Sequence, residues 1–465
     1  MNQSPRLREL PAVNSVLTSL PIEPLRKQYP DTTLVGWIRQ SLEKVRRSLQ
    51  SEKLGATGDI KGEVIRQVLQ HQHEIAGNSV KQVINATGII LHTNLGRAPL
   101  AEAAIQRVTQ VARTSNVELN LHTGKRNHRG DYCVELLRQL TGCEDALLVN
   151  NCAAATMMVL QVIACQREVI IARGQLIEIG GGYRLPDVFT ASGAILHEVG
   201  TTNRTYVHDY EHAVSAETAA VMRVHHSNFK QTGFVTEPTI RELVEMKRSD
   251  DLPVIDDLGS GWLDSTDELQ LDEPSVKASV ASGADLTLFS GDKLLGGPQC
   301  GIILGSGRWI KLLRQSPLMR AMRLDKLTLG ALEATLEIHL NGDALSDIPT
   351  LRMINESTES IRSRSEKLAS LIKSNAEIRV IQCLSQIGGG ALPCQQLPSY
   401  GISIATAKPN VLADHLRRGA TSIQSRVSAD SVILDLRTVD ASQIDIIADN
   451  LRQSFALISG DSDHA

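Results

Sequence analysis

From about residue 80 onward, short apolar runs alternate with longer helical stretches, and this alternation constrains the fold of the 465-residue chain more than any other feature. The runs lie at 146–149, 169–172, 194–196, 220–222, 253–255 and 286–289. A strand followed by a helical crossover returns in the same direction, so successive strands pair in parallel. Strands that are apolar almost throughout are buried on both faces. The pattern predicts an α/β fold whose mostly parallel central sheet is covered by helices. Ligands of such sheets sit beyond the carboxyl ends of the strands.

Two motifs fall at such ends. The run at 286–289 delivers Ser290 and Lys293, glycines follow, and a second apolar run resumes at 301–304. A lysine at a strand end, fenced by glycines, can lose water and lie against a flat cofactor. Burial lowers its pKa and favours the neutral amine that a Schiff base requires. Most lysines are solvated surface groups, so this one needs a second signal. It comes at 253–261, where a strand ends in Asp256 and Asp257 and then glycines. A pyridoxal 5'-phosphate enzyme needs both parts: a lysine for the cofactor and an acid that keeps the pyridine nitrogen protonated. Asp256 directly follows the apolar residues and is the preferred acid; Asp257 is the rival. Alone, either would read as a loop acid or a helix cap.

Other loops suit anions. Asn151, Cys152, Ala153 and Ala154 follow a strand and open a helix, where small residues and the helix N-terminus favour a phosphate. Ser290 could donate a further hydrogen bond to it. Cys152 has no local helper and reads as a small buried filler. Arg320 and Arg323 stand three apart, which on a helix forms a fork for a tetrahedral oxyanion. The segments 84–97, 173–182 and 200–204 add glycine-rich loops with fixed polar and charged groups. Histidines at 71, 73, 225 and 226 lack a third ligand at metal-binding spacing, although His226, near a strand end, could touch a cofactor.

Residues 1–75 look helical and separate. Leu34, Ile38, Leu42, Val45 and Leu49 recur at helical spacing, with Arg39, Lys44, Arg46 and Arg47 on the other faces. Through Val83 there are 12 Lys+Arg against 8 Asp+Glu, whereas the whole chain carries −4. A basic leading segment on an acidic body suits a polyanion held at one end; a solvated helical face would look similar. A break is expected at 55–59, helices at 327–340 and 354–375, a strand at 432–435 and a frayed tail at 459–465. Seven scattered cysteines without a CxxC pair fit a reducing cytoplasm. No apolar signal region opens the chain, and no apolar run reaches membrane-spanning length.

Taken together, the blocks INATGIILHTNLGR (84–97), RGQLIEIGGGYRLPDV (173–188), EVGTTNRT (198–205), VIDDLGSG (254–261), LFSGDKLLGGPQCGII (288–303) and PLMRAMRLDKLTL (317–329) resemble the bacterial selenocysteine synthase family, the L-seryl-tRNA(Sec) selenium transferases. The resemblance runs nearly the whole chain. It implies the aspartate-aminotransferase-like fold type I of pyridoxal-phosphate enzymes, with a helical tRNA-binding domain at 1–75, a cofactor-binding domain at 76–340 and an α+β domain at 341–465. It implies a cytoplasmic ring of dimers, typically a decamer. It places the cofactor lysine at Lys293 and the ring-nitrogen acid most plausibly at Asp256. Arg97, Arg320 and Arg323 match the arginines that meet the selenium donor, selenophosphate, and Thr201 and Thr202 match a pair near the active site. Arg426 lies where related folds keep a carboxylate-binding arginine, but an esterified serine offers no free carboxylate. The implied reaction converts seryl-tRNA(Sec) to selenocysteinyl-tRNA(Sec) through an aminoacrylyl intermediate. A small-molecule lyase of the same fold would keep Lys293 yet need no basic leading domain, and a non-catalytic tRNA-binding protein would not need Lys293.

Overall fold

In the computed structural model, residues 5–51, 59–77, 79–263, 269, 271–372 and 376–460 are described. The chain divides after Gln82 into two compact units. The first is helical. Helix α1 (Asp31–Gln50) buries Leu34, Ile38, Val45 and Leu49, and α2 (Ile60–Gly77) adds Ile60, Val64 and Val68 to the same small core. Arg39, Lys44, Arg46 and Arg47 are exposed, as the helical spacing requires. Arg46 and Arg47 both pair with Glu43 and hold its carboxyl below the usual carboxylate range. Of the expected break at 55–59, positions 55–58 lie outside the described residues.

The second unit holds a seven-stranded sheet. Its strands in chain order are β1 (Asp145–Val149), β2 (Glu168–Ala172), β3 (Ile195–Val199), β4 (Thr218–Val224), β5 (Val254–Gly259), β6 (Leu286–Ser290) and β7 (Gly301–Gly305). The spatial order is β1-β7-β6-β5-β4-β2-β3. Every pairing is parallel except those of β7, which runs antiparallel to both β6 and β1. The glycine-rich turn after Lys293 is too short for a crossover helix, so the chain must reverse directly into β7. Each face of the sheet is covered. Helix α3 (Cys152–Ala164) packs with Ile255, Leu286 and Leu288 on one side. Leu258, Phe289 and Ile302 turn to the other.

Residues beyond 340 belong to the same compact unit as this sheet. They add an antiparallel sheet of β8 (Ile378–Gln386), β9 (Gln396–Ala405), β10 (Arg426–Val427) and β11 (Ser431–Asp435), in the order β8-β9-β11-β10. The long helix expected at 327–340 is Lys326–Asn341, capped by Asp325, whose carboxylate accepts the amides of Leu327 and Thr328. The helix expected at 354–375 is interrupted. One helix ends at Asn355 and the next, Thr358–Leu371, starts afresh at the N-cap Ser357; positions 373–375 lie outside the described residues. The C-terminal helix runs through Gly460, and the rest of the expected tail, 461–465, lies outside the described residues. The apolar run at 84–91 is no continuous strand. Val83–Asn85 pairs with Ser422–Gln424, and then the Asn85 side chain accepts the Thr87 amide and hydroxyl and turns the chain. Among the described residues no helix is long and apolar enough to cross a membrane.

Candidate active site

Lys293 lies just past the end of β6 and is buried. Its amine makes no hydrogen bond or ion pair among the described residues, and burial lowers its pKa. Two glycines in the left-handed region flank the amine. A Cβ on Gly259 (φ +66) would stand 3.7 Å from Lys293 Nζ, and one on Gly390 (φ +77) would stand 3.5 Å from it. Side chains there would fill the space around the amine, and most would also strain the backbone. The cradle therefore joins the end of β5, the end of β6 and a loop between β8 and β9.

The two acids of β5 point in opposite directions, because neighbours on a strand face opposite sides of the sheet. The Asp256 carboxylate receives both Nε and Nη2 of Arg223 at 2.9 Å and the hydroxyl of Ser279 at 2.6 Å. It is fully enclosed in that ion pair. Asp257 turns instead toward the first turn of α3. Its carboxylate accepts Thr156 Oγ1 at 2.9 Å and the Cys152 thiol at 3.6 Å. Burial pushes the Asp257 carboxyl up to about 6, while the charge of Lys293 pulls it down. The sequence favours Asp256 as the cofactor's acid, but it is Asp257 that shares the face and the electrostatic field of Lys293. Cys152, read as a filler, lies within that group, and burial raises its thiol far above the usual range.

The helix end is ordered for an anion in part only. Asn151 caps α3, its side-chain oxygen accepting the Ala154 amide at 2.8 Å. That bond already occupies both groups. The amides of Cys152 and Ala153 stay in the first turn without helical acceptors. Ser290 donates to Asp292 Oδ1 at 2.6 Å, so its hydroxyl is engaged too. Asp292 in turn binds Arg97 at 2.8 Å, which sets that arginine beside the Lys293 segment.

Arg320 and Arg323 lie apart from this pairing. Arg320 is in the short helix Leu318–Met322, whereas Arg323 is already extended, and the helical fork expected from their spacing does not form. Both nevertheless line one cleft of about 500 Å³ with Arg126, Arg129 and Glu118. Four arginines against one glutamate leave that cleft strongly positive. Thr201 and Thr202 are exposed on the loop after β3. The Thr201 hydroxyl donates to the Arg204 carbonyl, and the Thr202 carbonyl accepts the Gln231 amide. Arg426 is committed to Asp435, at 3.1 Å. His226 contacts Glu237 and the Gly174 carbonyl, both at 3.2 Å.

The sequence set His225 aside as a metal ligand and did not single out Glu273 or the Gly388–Gly390 run, yet all three lie at the site. His225 is half-buried, and its pKa is pushed down to about 4 by desolvation and the nearby cations, so the imidazole is neutral. Its Nδ1 accepts the Ser227 amide at 3.3 Å and lies 3.7 Å from Glu273. Glu273 is buried, accepts the Leu392 amide at 3.0 Å, and has its carboxyl raised by burial. The run Gly388–Gly390 was a visible signal for the loop over the amine, but nothing local linked it to Lys293.

Comparison with known proteins agrees with this architecture. The family model described as L-seryl-tRNA selenium transferase matches residues 83–440, and one described as selenocysteine synthase N terminal matches residues 7–46. The L-seryl-tRNA(Sec) selenium transferase of Alkaliphilus oremlandii is 43% identical, with 96% of this chain and 98% of the relative covered. That of Solidesulfovibrio magneticus is 42% identical over the same shares. Among solved structures, a D-glucosaminate-6-phosphate ammonia-lyase superposes with a TM-score of 0.55 at 21% identity, covering 83% of this chain and 98% of that one. That likeness concerns the fold alone. The fold is the type I arrangement expected from the sequence. By the match of its central and C-terminal residues and of near full-length relatives, the chain belongs to the L-seryl-tRNA selenium transferase family.

Proposed function

We propose that this protein converts seryl-tRNA(Sec) to selenocysteinyl-tRNA(Sec), with pyridoxal 5'-phosphate as cofactor and selenophosphate as selenium donor, in the cytoplasm and as a ring of dimers. Within the family, the observation that carries the reading is the Lys293 amine: buried, without a hydrogen-bond or ion-pair partner among the described residues, and held in a cradle of two glycines. Pyridoxal phosphate, when bound, supplies an electron sink for losing the serine α-proton and β-hydroxyl and for adding selenium.

The residues present fit that group. Burial lowers the Lys293 pKa, which favours its joining the group and, once free, holding a proton at Nζ. Asp257, not Asp256, is the buried acid that would hold the ring nitrogen. The amides of Cys152 and Ala153 would meet the phosphate, with Asn151 and Ala154 fixing the helix end and Ser290 steadying Asp292. Asp292 orients Arg97 beside the amine. The seven free cysteines accord with a reducing compartment. Purified protein given seryl-tRNA(Sec) and selenophosphate should yield selenocysteinyl-tRNA(Sec). Recovery of unchanged seryl-tRNA(Sec) would overturn the reading.

Arg97, Arg320 and Arg323 are assigned to the selenium donor. Charge-assisted bonds to an oxyanion contribute about 1.5–3 kcal/mol each, so each alanine variant should lose about tenfold or more in donor affinity. Variants that use selenophosphate normally would refute the assignment. Arg97→Ala also frees Asp292, so the cleaner result comes from Arg320→Ala.

The first unit is assigned to the tRNA backbone. Arg39 and Lys44 are exposed on α1 and make no ion pair among the described residues. tRNA affinity should fall steeply with added salt, because each neutralised phosphate releases counterions. A chain starting at Val83 should keep its cofactor yet lose use of seryl-tRNA(Sec); full tRNA affinity in that truncation would count against the assignment.

A further inference from the structure

His225 also lines a second cleft, of about 640 Å³, together with Phe229, Gln231, Glu237, Leu392 and Cys394. That volume falls within the range of about 300–1,000 Å³ typical of small-ligand sites. The cleft adjoins the Lys293 cradle. The charge of Lys293 acts on His225, and Leu392 lies two residues beyond Gly390 in the same loop, its amide bound to Glu273.

Three features describe what would fit there. The first is a ring. The chain has five phenylalanines, and the two exposed ones, Phe229 and Phe234, both lie on the loop after β4. Phe229 lines the cleft and touches only the tilted His226 ring, at a centroid distance of 4.7 Å, among the ring contacts of the described residues. The second is an acceptor. Gln231 donates its amide nitrogen to the Thr202 carbonyl at 2.9 Å, which fixes the orientation of the amide. Its Oε1 is buried and lacks a partner among the described residues. A buried acceptor without a donor is costly, so a ligand N–H would be well placed. The third is charge. Lys230 pairs with Asp272, Glu237 pairs with His226, and His225 is neutral. The lining therefore suits a neutral, flat, N–H-bearing ligand better than a phosphate.

Chemistry supplies such a ligand. In an aminoacyl-tRNA the amino acid is esterified to the ribose of the 3'-terminal adenosine. When the serine amine reaches Lys293, that nucleoside must be housed next to the cradle. We propose that the cleft holds the 3'-terminal adenosine, its base stacked on Phe229 and its exocyclic amine donating to Gln231 Oε1. The proposal rests on the reading of seryl-tRNA(Sec) as substrate.

The test uses the full-length holoenzyme. The KM for seryl-tRNA(Sec) is measured for wild type, Phe229→Ala and Phe229→Trp, and affinity is compared for tRNA(Sec) with and without its terminal adenosine. Phe229→Ala should raise KM about tenfold, the scale of losing one base–aromatic stack, with kcat little changed. Phe229→Trp should restore KM. Removing the terminal adenosine should weaken wild type but scarcely weaken Phe229→Ala further. An unchanged KM, or an equal loss in both proteins on removing the adenosine, overturns the pocket while leaving the reaction intact. A wild type that makes no selenocysteinyl-tRNA(Sec) overturns the reaction itself, and the pocket with it. Retained cofactor absorbance shows that each variant is folded.

Discussion

Replacing Lys293 with alanine should give a folded protein with neither visible absorbance nor turnover. The wild type should be yellow as purified if the buried amine at this strand end, whose pKa burial lowers, joins pyridoxal phosphate covalently as proposed. The amine has no hydrogen-bond or ion-pair partner among the described residues. Its removal breaks no hydrogen bond or ion pair among the described residues and takes a basic group out of a buried site, so the fold should survive. Loss of turnover should be complete within detection, since one amine is proposed both to join the cofactor and to move the proton. A Lys293→Ala protein whose visible spectrum matches the wild type would sink the assignment.

The second large effect separates the two neighbouring acids of β5. Asp257→Asn should retain stability but lose about a hundredfold or more in turnover, the scale of removing one preorganised electrostatic contact. A neutral side chain cannot hold a protonated ring nitrogen. The same logic gives a pH dependence. The Asp257 carboxyl, raised to about 6, is protonated below that value, so cofactor affinity should fall as pH drops through it. Asp256→Asn should do the reverse. Arg223 would lose a buried carboxylate partner, and breaking such a pair costs about 3–5 kcal/mol of stability. Turnover per folded molecule should change little. Thermal melts and single-turnover rates on both variants separate the cases; a dead, stable Asp256→Asn beside an active Asp257→Asn would reinstate Asp256.

Much of this protein was determined by local patterns. The alternation of apolar runs and helices specified the parallel sheet, because near-continuous apolarity marks strands buried on both faces. The apolar run ending at Ser290 and the glycines after Lys293 placed that lysine at a strand end, and the spacing of Leu34, Ile38, Val45 and Leu49 specified the buried face of α1. What stayed hidden depends on direction and on distance along the chain. Every residue of β5 is buried, so no polar alternation reveals which acid faces which side. Only the packing of α3 against one face, and of Arg223 and Ser279 against the other, assigns Asp257 to Lys293. Gly390, Leu392 and Glu273 reach the site through a loop between β8 and β9 and a buried acid beyond β5, and no local pattern joins segments so far apart. The arginines were legible as residues but not as a group. Arg97 is drawn to Asp292, whereas Arg320 and Arg323 gather with Arg126 and Arg129, because tertiary packing, not spacing, decides which charges share a cleft.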